Sequence, residues 1–340
     1  MRAENAGNAG NTENVDNAGN TENAAKMHAD QLDVDVPLVR RLIAGRFPRW
    51  AGLPVRAVVS SGTVNAMFRL GATMSVRLPL TPGAAGDVAR ERLLLPRLAP
   101  LLPVPVPTVL GEGAPTGEYP LPWTVHRWLP GRNPDPAALA GPGALGGARA
   151  LAADLAALVG AVRAIEPADG PPAHRGGPLT EQDAETRSAL RVLEALGGMA
   201  DTEAASAAWE EALGAPAWDG PPVWLHADLM PGNLLVAPGE GGQRLAAVID
   251  FGTAGVGDPA CDLIVAWNLL PAGARAAFRD ALGVDDATWA RGRGLALSMA
   301  LIQLPYYHGT NPGIAANARH VIREVLADRR REEGAGANVR

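Results

Sequence analysis

Apolar positions recur at helical spacing in Val36, Val39, Leu42 and Ile43, with Asp35 and Pro37 as start signals and Gly45 close behind, which predicts a helix. Between Arg56 and Leu80 the period shortens. Residues 58–59, 66–70 and 74–78 are β-prone runs separated by Ser60-Ser61-Gly62 and Gly71-Ala72-Thr73, the pattern of three antiparallel strands. Residues 87–98 return to helix, with Val88, Leu94, Leu95 and Leu98 to bury, and prolines from Pro96 to Pro107 end it before a β-prone stretch at 123–129. Past Pro130-Gly131, residues 148–164, 181–196 and 202–213 read as Ala/Leu-rich helices. Strand signals come back at 223–225, 234–236 and 245–249, and the chain is helical again from Cys261. The predicted class is α+β and bilobal: a small antiparallel β-rich lobe over 27–128, then a larger helical lobe over 129–340.

The first 26 residues break the pattern. Asn-Ala-Gly-Asn-Thr-Glu-Asn occurs at 8–14 and again at 17–23, with too little aliphatic bulk to offset the entropy of ordering, so a disordered tail is expected, with Met27 as an alternative start.

Composition narrows the function classes. The 340 residues carry 36 acidic and 30 basic side chains, a formal charge of −6, which disfavours a sequence-independent nucleic-acid binder. Apolar stretches are interrupted before the roughly 20 residues a bilayer needs, and no apolar leader is visible, so no membrane partner and a cytoplasmic location are expected. The lone Cys261 excludes a disulfide framework or a thiolate zinc site. Among the 30 basic residues only Lys26 is a lysine, so the folded body has none for a Walker-type loop or a Schiff base.

The densest chemical signal is Val-Trp-Leu-His226-Ala-Asp228-Leu-Met-Pro-Gly-Asn233-Leu-Leu-Val, followed 17 residues after Asn233 by Asp250-Phe-Gly252. A strand ending at Leu225, a Pro231-Gly232 turn and a strand from Leu234 let Asp228 and Asn233 face one cavity, with Asp250 below. Two carboxylates and an amide oxygen suit Mg²⁺ shared with a polyphosphate.

The order His-x-Asp-x-x-x-x-Asn, then Asp-Phe-Gly, resembles the catalytic and magnesium loops of the protein-kinase-like superfamily, and in particular the aminoglycoside phosphotransferase family. Val76-Arg77-Leu78-Pro79, the segments at 95–100 and 123–129, and Gly257-Asp258-Pro259 with Asp262-Leu263 extend the likeness over most of the chain after Met27. The resemblance implies a bilobal kinase-like fold, ATP or GTP and Mg²⁺ as cofactors, and a small-molecule hydroxyl acceptor, an aminoglycoside or another antibiotic first. It makes Asp228 the catalytic base and puts magnesium on Asn233 and Asp250. His226 joins the catalytic set, chiefly as a brace for the Asp-Phe-Gly backbone. Ser61, Gly62 and Thr63 would cover the triphosphate with backbone N–H groups. Arg77 stands where related folds place a phosphate-binding lysine, with Glu91 as its ion-pair partner, and Val125 and Trp128 belong to the hinge that receives the adenine.

Structural roles remain open beside these. Asp258-Pro259 makes a helix cap and Asp262 can brace the catalytic loop. Trp209, Trp218 and Trp224 suit core or pocket wall. Glu203, Glu210 and Glu211 can attract a polycation or form a solvated helix face. Gly252 permits the bend after the metal ligand. The alternatives are a kinase of an ordinary metabolite, a nucleotide-binding pseudokinase and a metal-dependent hydrolase.

Overall fold

Helix α1 (Val36–Arg46) starts at its sequence signal: the Asp35 carboxylate accepts the Leu38 N–H at 2.7 Å and Pro37 occupies the first turn. The computed structural model describes residues 31–58 and 64–337, with side chains as far as Arg331. The tail, and Ser61, Gly62 and Thr63 of the phosphate-covering loop, lie outside the described residues.

After α1 come β1 (Val55–Ala57), β2 (Asn65–Leu70), β3 (Met74–Pro79), α2 (Pro82–Leu98), β4 (Val109–Gly113) and β5 (Trp123–Arg127). The strands form one antiparallel sheet in the order β1-β2-β3-β5-β4. The first strand precedes the run at 58–59. β4 was not expected: its glycines weaken β propensity, but they are sterically required. A Cβ on Gly113 would lie 1.8 Å from the Trp123 ring, and one on Gly111 2.7 Å from Phe47. Helix α2 begins earlier than its apolar spacing suggests, because Thr81 caps it and Pro82 opens it.

Strand alternation gives the sheet two different faces. Val76 and Val125 are directly paired and, with Phe68, Leu70, Leu78 and Trp123, pack against α1 in a closed apolar core. The opposite face carries Ser75 and Arg77, paired with His126 and Thr124. That face meets α2, whose later residues Leu94, Leu95 and Leu98 enter the core of the second lobe. One helix therefore ties the sheet to both cores.

The second lobe contains α3 (Pro136–Leu139), α4 (Leu145–Arg163), α5 (Asp183–Leu196), α6 (Thr202–Leu213), β6 (Val223–Leu225), β7 (Leu234–Gly239), β8 (Gly242–Val248), β9 (Gly255–Gly257), α7 (Val265–Asn268), α8 (Ala272–Leu282), α9 (Asp286–Tyr307) and α10 (Pro312–Ala337). Helix α4 is long and apolar enough to cross a membrane by length and composition, but its Leu151, Leu155, Leu158, Val159 and Val162 are buried in this lobe's core. Trp209 and Trp224 are core residues whose indole N–H groups reach Asp183 and the Glu166 carbonyl.

Arg275 on α8 fastens the lobe's far side. It is 2% exposed, donates to the Ala266 and Leu270 carbonyls at 3.0 and 3.1 Å, and pairs with Glu324 and Asp328 of α10 at 2.5 and 2.9 Å.

Candidate active site

Two antiparallel hairpins deliver the site. β6 pairs with β9 and β7 with β8, so the turn from His226 to Asn233 and the segment starting at Asp250 emerge side by side. The Ile249 N–H donates to the Asn233 carbonyl at 2.9 Å, which joins the two.

The loop that carries Asp228 is held from within. Ala227 has φ +64° and Asp250 φ +66°, a region in which non-glycine residues need outside support. Asp262 supplies it for Ala227: its fully buried carboxylate accepts the His226 and Ala227 N–H groups at 2.9 and 2.8 Å. Burial pushes the Asp262 carboxyl up, while His226 and these two N–H groups pull it down. Asn133, which the motif reading missed, donates to the carbonyls of Pro231, Gly232 and Leu234 and fixes the turn from the lobe junction.

His226 is buried and does not face the cleft. Its Nε2 meets the Ile249 carbonyl at 3.0 Å, its Nδ1 accepts from the Asp228 N–H at 3.3 Å, and Phe251 packs edge-on 4.6 Å away. Both ring nitrogens are engaged within the loop, so His226 sits as the brace between Asp228 and the Asp250 strand rather than at the cleft.

Asp228 keeps 23% of its side chain exposed to the cleft. Asn233 donates through Nδ2 to the Asp228 carbonyl at 2.9 Å and to Oδ2 at 2.8 Å, which leaves Asn233 Oδ1 as an acceptor. Asp250 uses Oδ1 to accept from Arg77 at 2.8 Å, and its Oδ2 has no partner among the described residues. These are hard oxygen donors suited to Mg²⁺. No cluster of three or more His, Cys, Asp or Glu able to hold a metal exists among the described residues, so a Mg²⁺ ion held here would take the rest of its oxygen shell from phosphate and water.

Arg77 is buried between Glu91 and Asp250 and pairs with both. Burial lowers its pKa, but the two carboxylates outweigh that and raise it, so the guanidinium stays charged. Glu91 also accepts the Phe251 N–H at 3.4 Å, so α2, β3 and the Asp-Phe-Gly segment share one polar junction. Asp87, one turn earlier on α2, is pushed up by burial and by Asp250. His126 shares this face, and burial, reinforced by Arg77, holds it down at about 4, so it is neutral at pH 7. Sequence reasoning missed His126. Its signal is strand alternation, which puts it on the Thr124 side of β5.

The same alternation overturns Val125 as a nucleotide contact: fully buried, it packs toward α1 on the opposite face. Trp128 is partly exposed at the lobe junction, with one ring face covered by the Arg69 guanidinium at 3.9 Å.

Gly252 is required for a reason other than bending. A Cβ there would sit 2.6 Å from the Asp87 Cβ, so α2 approaches as closely as glycine permits. Gly252→Ala is expected to cost about 1–3 kcal/mol through overpacking. It also displaces Glu91 from Arg77, lowering turnover more than stability alone explains; urea unfolding and initial rates measure the two effects.

Asp258 caps the following turn through the Ala260 N–H at 2.9 Å and takes Arg291 on both oxygens, at 2.7 and 3.1 Å. Cys261 is buried, and burial raises its thiol well above the ordinary range.

The sequence pattern of the phosphotransferase enzyme family matches residues 56–295, a span that contains every one of these groups. The chain belongs to this family. It is a phosphotransferase. No curated protein matches the chain. Solved structures show the shared phosphotransferase fold at low identity. The GDP complex of wild-type aminoglycoside 2′-phosphotransferase-IIIa is 17% identical, with a TM-score of 0.71 over 87% of this chain and 100% of that one. The GDP and kanamycin complex of an APH(2″) enzyme is 18% identical, with a TM-score of 0.69 over 86% and 99%. Macrolide 2′-phosphotransferase MphH from Brachybacterium faecium is 22% identical, with a TM-score of 0.56 over 85% and 98%.

Proposed function

We propose that this phosphotransferase moves the γ-phosphoryl group of ATP or GTP to a hydroxyl of a small, antibiotic-like molecule, with Asp228 receiving the hydroxyl proton. The observation that carries this reading is the convergence of Asp228, Asn233 and Asp250 at one cleft, with Arg77 and Glu91 on its upper wall. Mg²⁺ on Asn233 Oδ1 and Asp250 would neutralise phosphate oxygens. Arg77 adds a permanent charge beside the phosphates, and Trp128 offers a flat ring for the base at the junction. Asp228, fixed by Asn233 and by the His226 ring, orients the acceptor oxygen.

The acceptor seat is a cavity of about 240 Å³ between residues 176–180, the end of α6, residues 215–222 and Arg291. A smaller cavity shares Leu179, Asp258 and Arg291 with it and is also lined by Arg175, whose guanidinium contacts Asp228. Its walls include Leu179, Leu213, Pro222 and Trp218, and its two charged side chains, Asp258 and Arg291, neutralise each other. Glu210 and Glu211 do not line it: they pair with Arg187, and with Arg293 and Arg329. Such a wall favours a hydroxyl compound with an apolar face, macrolides ahead of polycationic aminoglycosides.

The test is Mg²⁺-dependent release of ADP or GDP across macrolides, aminoglycosides and simple alcohol metabolites, with a mass gain of roughly 80 Da on the acceptor, one phosphoryl group. Turnover is expected with apolar-faced acceptors. Nucleotide binding without turnover on any acceptor supports the pseudokinase alternative.

A further inference from the structure

Transfer of a phosphoryl group places negative charge on the equatorial oxygens while the bond to the leaving oxygen breaks, and protein cations commonly offset that charge. The catalytic loop has none: Leu229, Met230, Pro231 and Gly232 separate Asp228 from Asn233. Lysine is absent from the folded body. Arg77 is already engaged by two carboxylates, and Arg90 donates to the carbonyls of Pro172 and Ala254.

Arg175 is the cation that reaches the other side of the cleft. Its Nη1 lies 3.1 Å from Asp228 Oδ1 and 3.5 Å from the Ala227 carbonyl, and its side chain is 27% exposed. Nε and Nη2 donate to nothing among the described residues, so a contact from one nitrogen leaves the rest of the fork free.

The loop beneath Arg175 is rigid. Ala173 and His174 donate to the Val256 and Thr253 carbonyls at 3.0 and 3.1 Å, and Asp258 donates to Gly176 at 2.9 Å. The backbones touch so closely that a Cβ on Gly257 would fall 2.4 Å from the Gly176 oxygen. A long surface arginine would not need such a base. The backbone that carries Arg175 is anchored to the strand that follows the Asp-Phe-Gly segment, and its guanidinium is held at Asp228.

We propose that Arg175 is a catalytic residue: it holds Asp228 through Nη1 and places Nε and Nη2 on the oxygens of the phosphoryl group in flight. The proposal rests on the phosphotransfer reading above. In the step itself the acceptor oxygen forms a bond to the γ-phosphorus, the bond from that phosphorus to the β–γ bridging oxygen breaks, and the nucleoside diphosphate leaves with that electron pair. The hydroxyl proton passes to Asp228, and Arg175 keeps its charge throughout.

A transition-state mimic tests this without knowledge of the acceptor. Full-length wild type, Arg175→Met, Arg175→Lys and Asp228→Ala are titrated with Mg-ADP (or Mg-GDP), alone and with aluminium fluoride, by calorimetry and thermal shift. Wild type is expected to bind the fluoroaluminate complex more tightly than the diphosphate alone. Arg175→Met should bind the diphosphate about as wild type does and lose about 100-fold of the fluoroaluminate increment, Arg175→Lys should recover part of it, and Asp228→Ala should keep it. An undiminished increment in Arg175→Met overturns the proposal. So does an equal loss in Asp228→Ala, since Arg175 would then act only through Asp228. Failure of the wild type to bind any nucleotide sinks the functional reading itself, a result distinct from both.

Discussion

Asp228→Ala lowers turnover by about 10³-fold or more while Mg-nucleotide binding persists. General-base and positioning groups contribute about 10²–10⁴, and here both effects sit in one carboxylate. The Asn233 amide and the Arg175 guanidinium converge on its two oxygens, so removing it leaves the acceptor hydroxyl with neither a proton acceptor nor a fixed direction of approach. The groups assigned to the nucleotide stay in place: Asp250 and Arg77 belong to other segments, and Asn233, on the same turn, keeps its Nδ2 bond to the residue-228 carbonyl. Stability should change little, because Asp228 and Arg175 are both partly exposed and such pairs are worth about 0–1 kcal/mol. Single-turnover rates together with a nucleotide titration check the result; loss of nucleotide binding in parallel with turnover would contradict the assignment.

The largest effect on stability falls far from the cleft. Arg275→Ala is expected to cost about 3–5 kcal/mol, the usual penalty for removing one partner of a buried charge network. Glu324 and Asp328 keep 28% and 15% of their side chains exposed, so neither is well solvated once the guanidinium is gone. Two carbonyl acceptors are abandoned as well. Arg275→Lys rescues this poorly, because one ammonium cannot span four acceptors arranged around a planar fork. The pH dependence has a definite sign. Burial raises the Asp328 carboxyl, but Arg275, Arg331 and the Trp267 N–H outweigh it and hold the folded value below the unfolded one. Its stabilisation is therefore present above the ordinary carboxylate pKa and is lost as pH falls through the depressed one. Urea midpoints measured from neutral to acid pH should fall more steeply in wild type than in Arg275→Ala.

The acidic helix α6 shows how charge read along a sequence can mislead about a ligand. Glu210 and Glu211 stand next to the acceptor cavity in sequence, but their charges meet Arg187, Arg293 and Arg329. Those partners come from α5, α9 and α10, which no local pattern connects to α6. Asp258 is similar: its cap was legible in Asp-Pro, whereas its bidentate partner Arg291 lies 33 residues away.

By itself the sequence determined most of the helices and strands, though not β4 or β9, and the two-lobed fold, and it singled out Asp228, Asn233 and Asp250 as one group. Apolar periodicity, caps and turn residues are local properties, and the catalytic signal depends on spacing within two short hairpins. Only the tertiary structure decided which way those residues face and what they meet. Strand register turned Val125 into the core and His126 toward Arg77, because a shift of one residue exchanges the faces of a sheet. Packing across the lobes gave Arg77 two carboxylates, brought α2 against Gly252, and set Arg175 beside an aspartate 53 residues away. Such contacts are fixed by the joint burial of distant segments, so the groups that tune the reaction became visible only after the chain was folded.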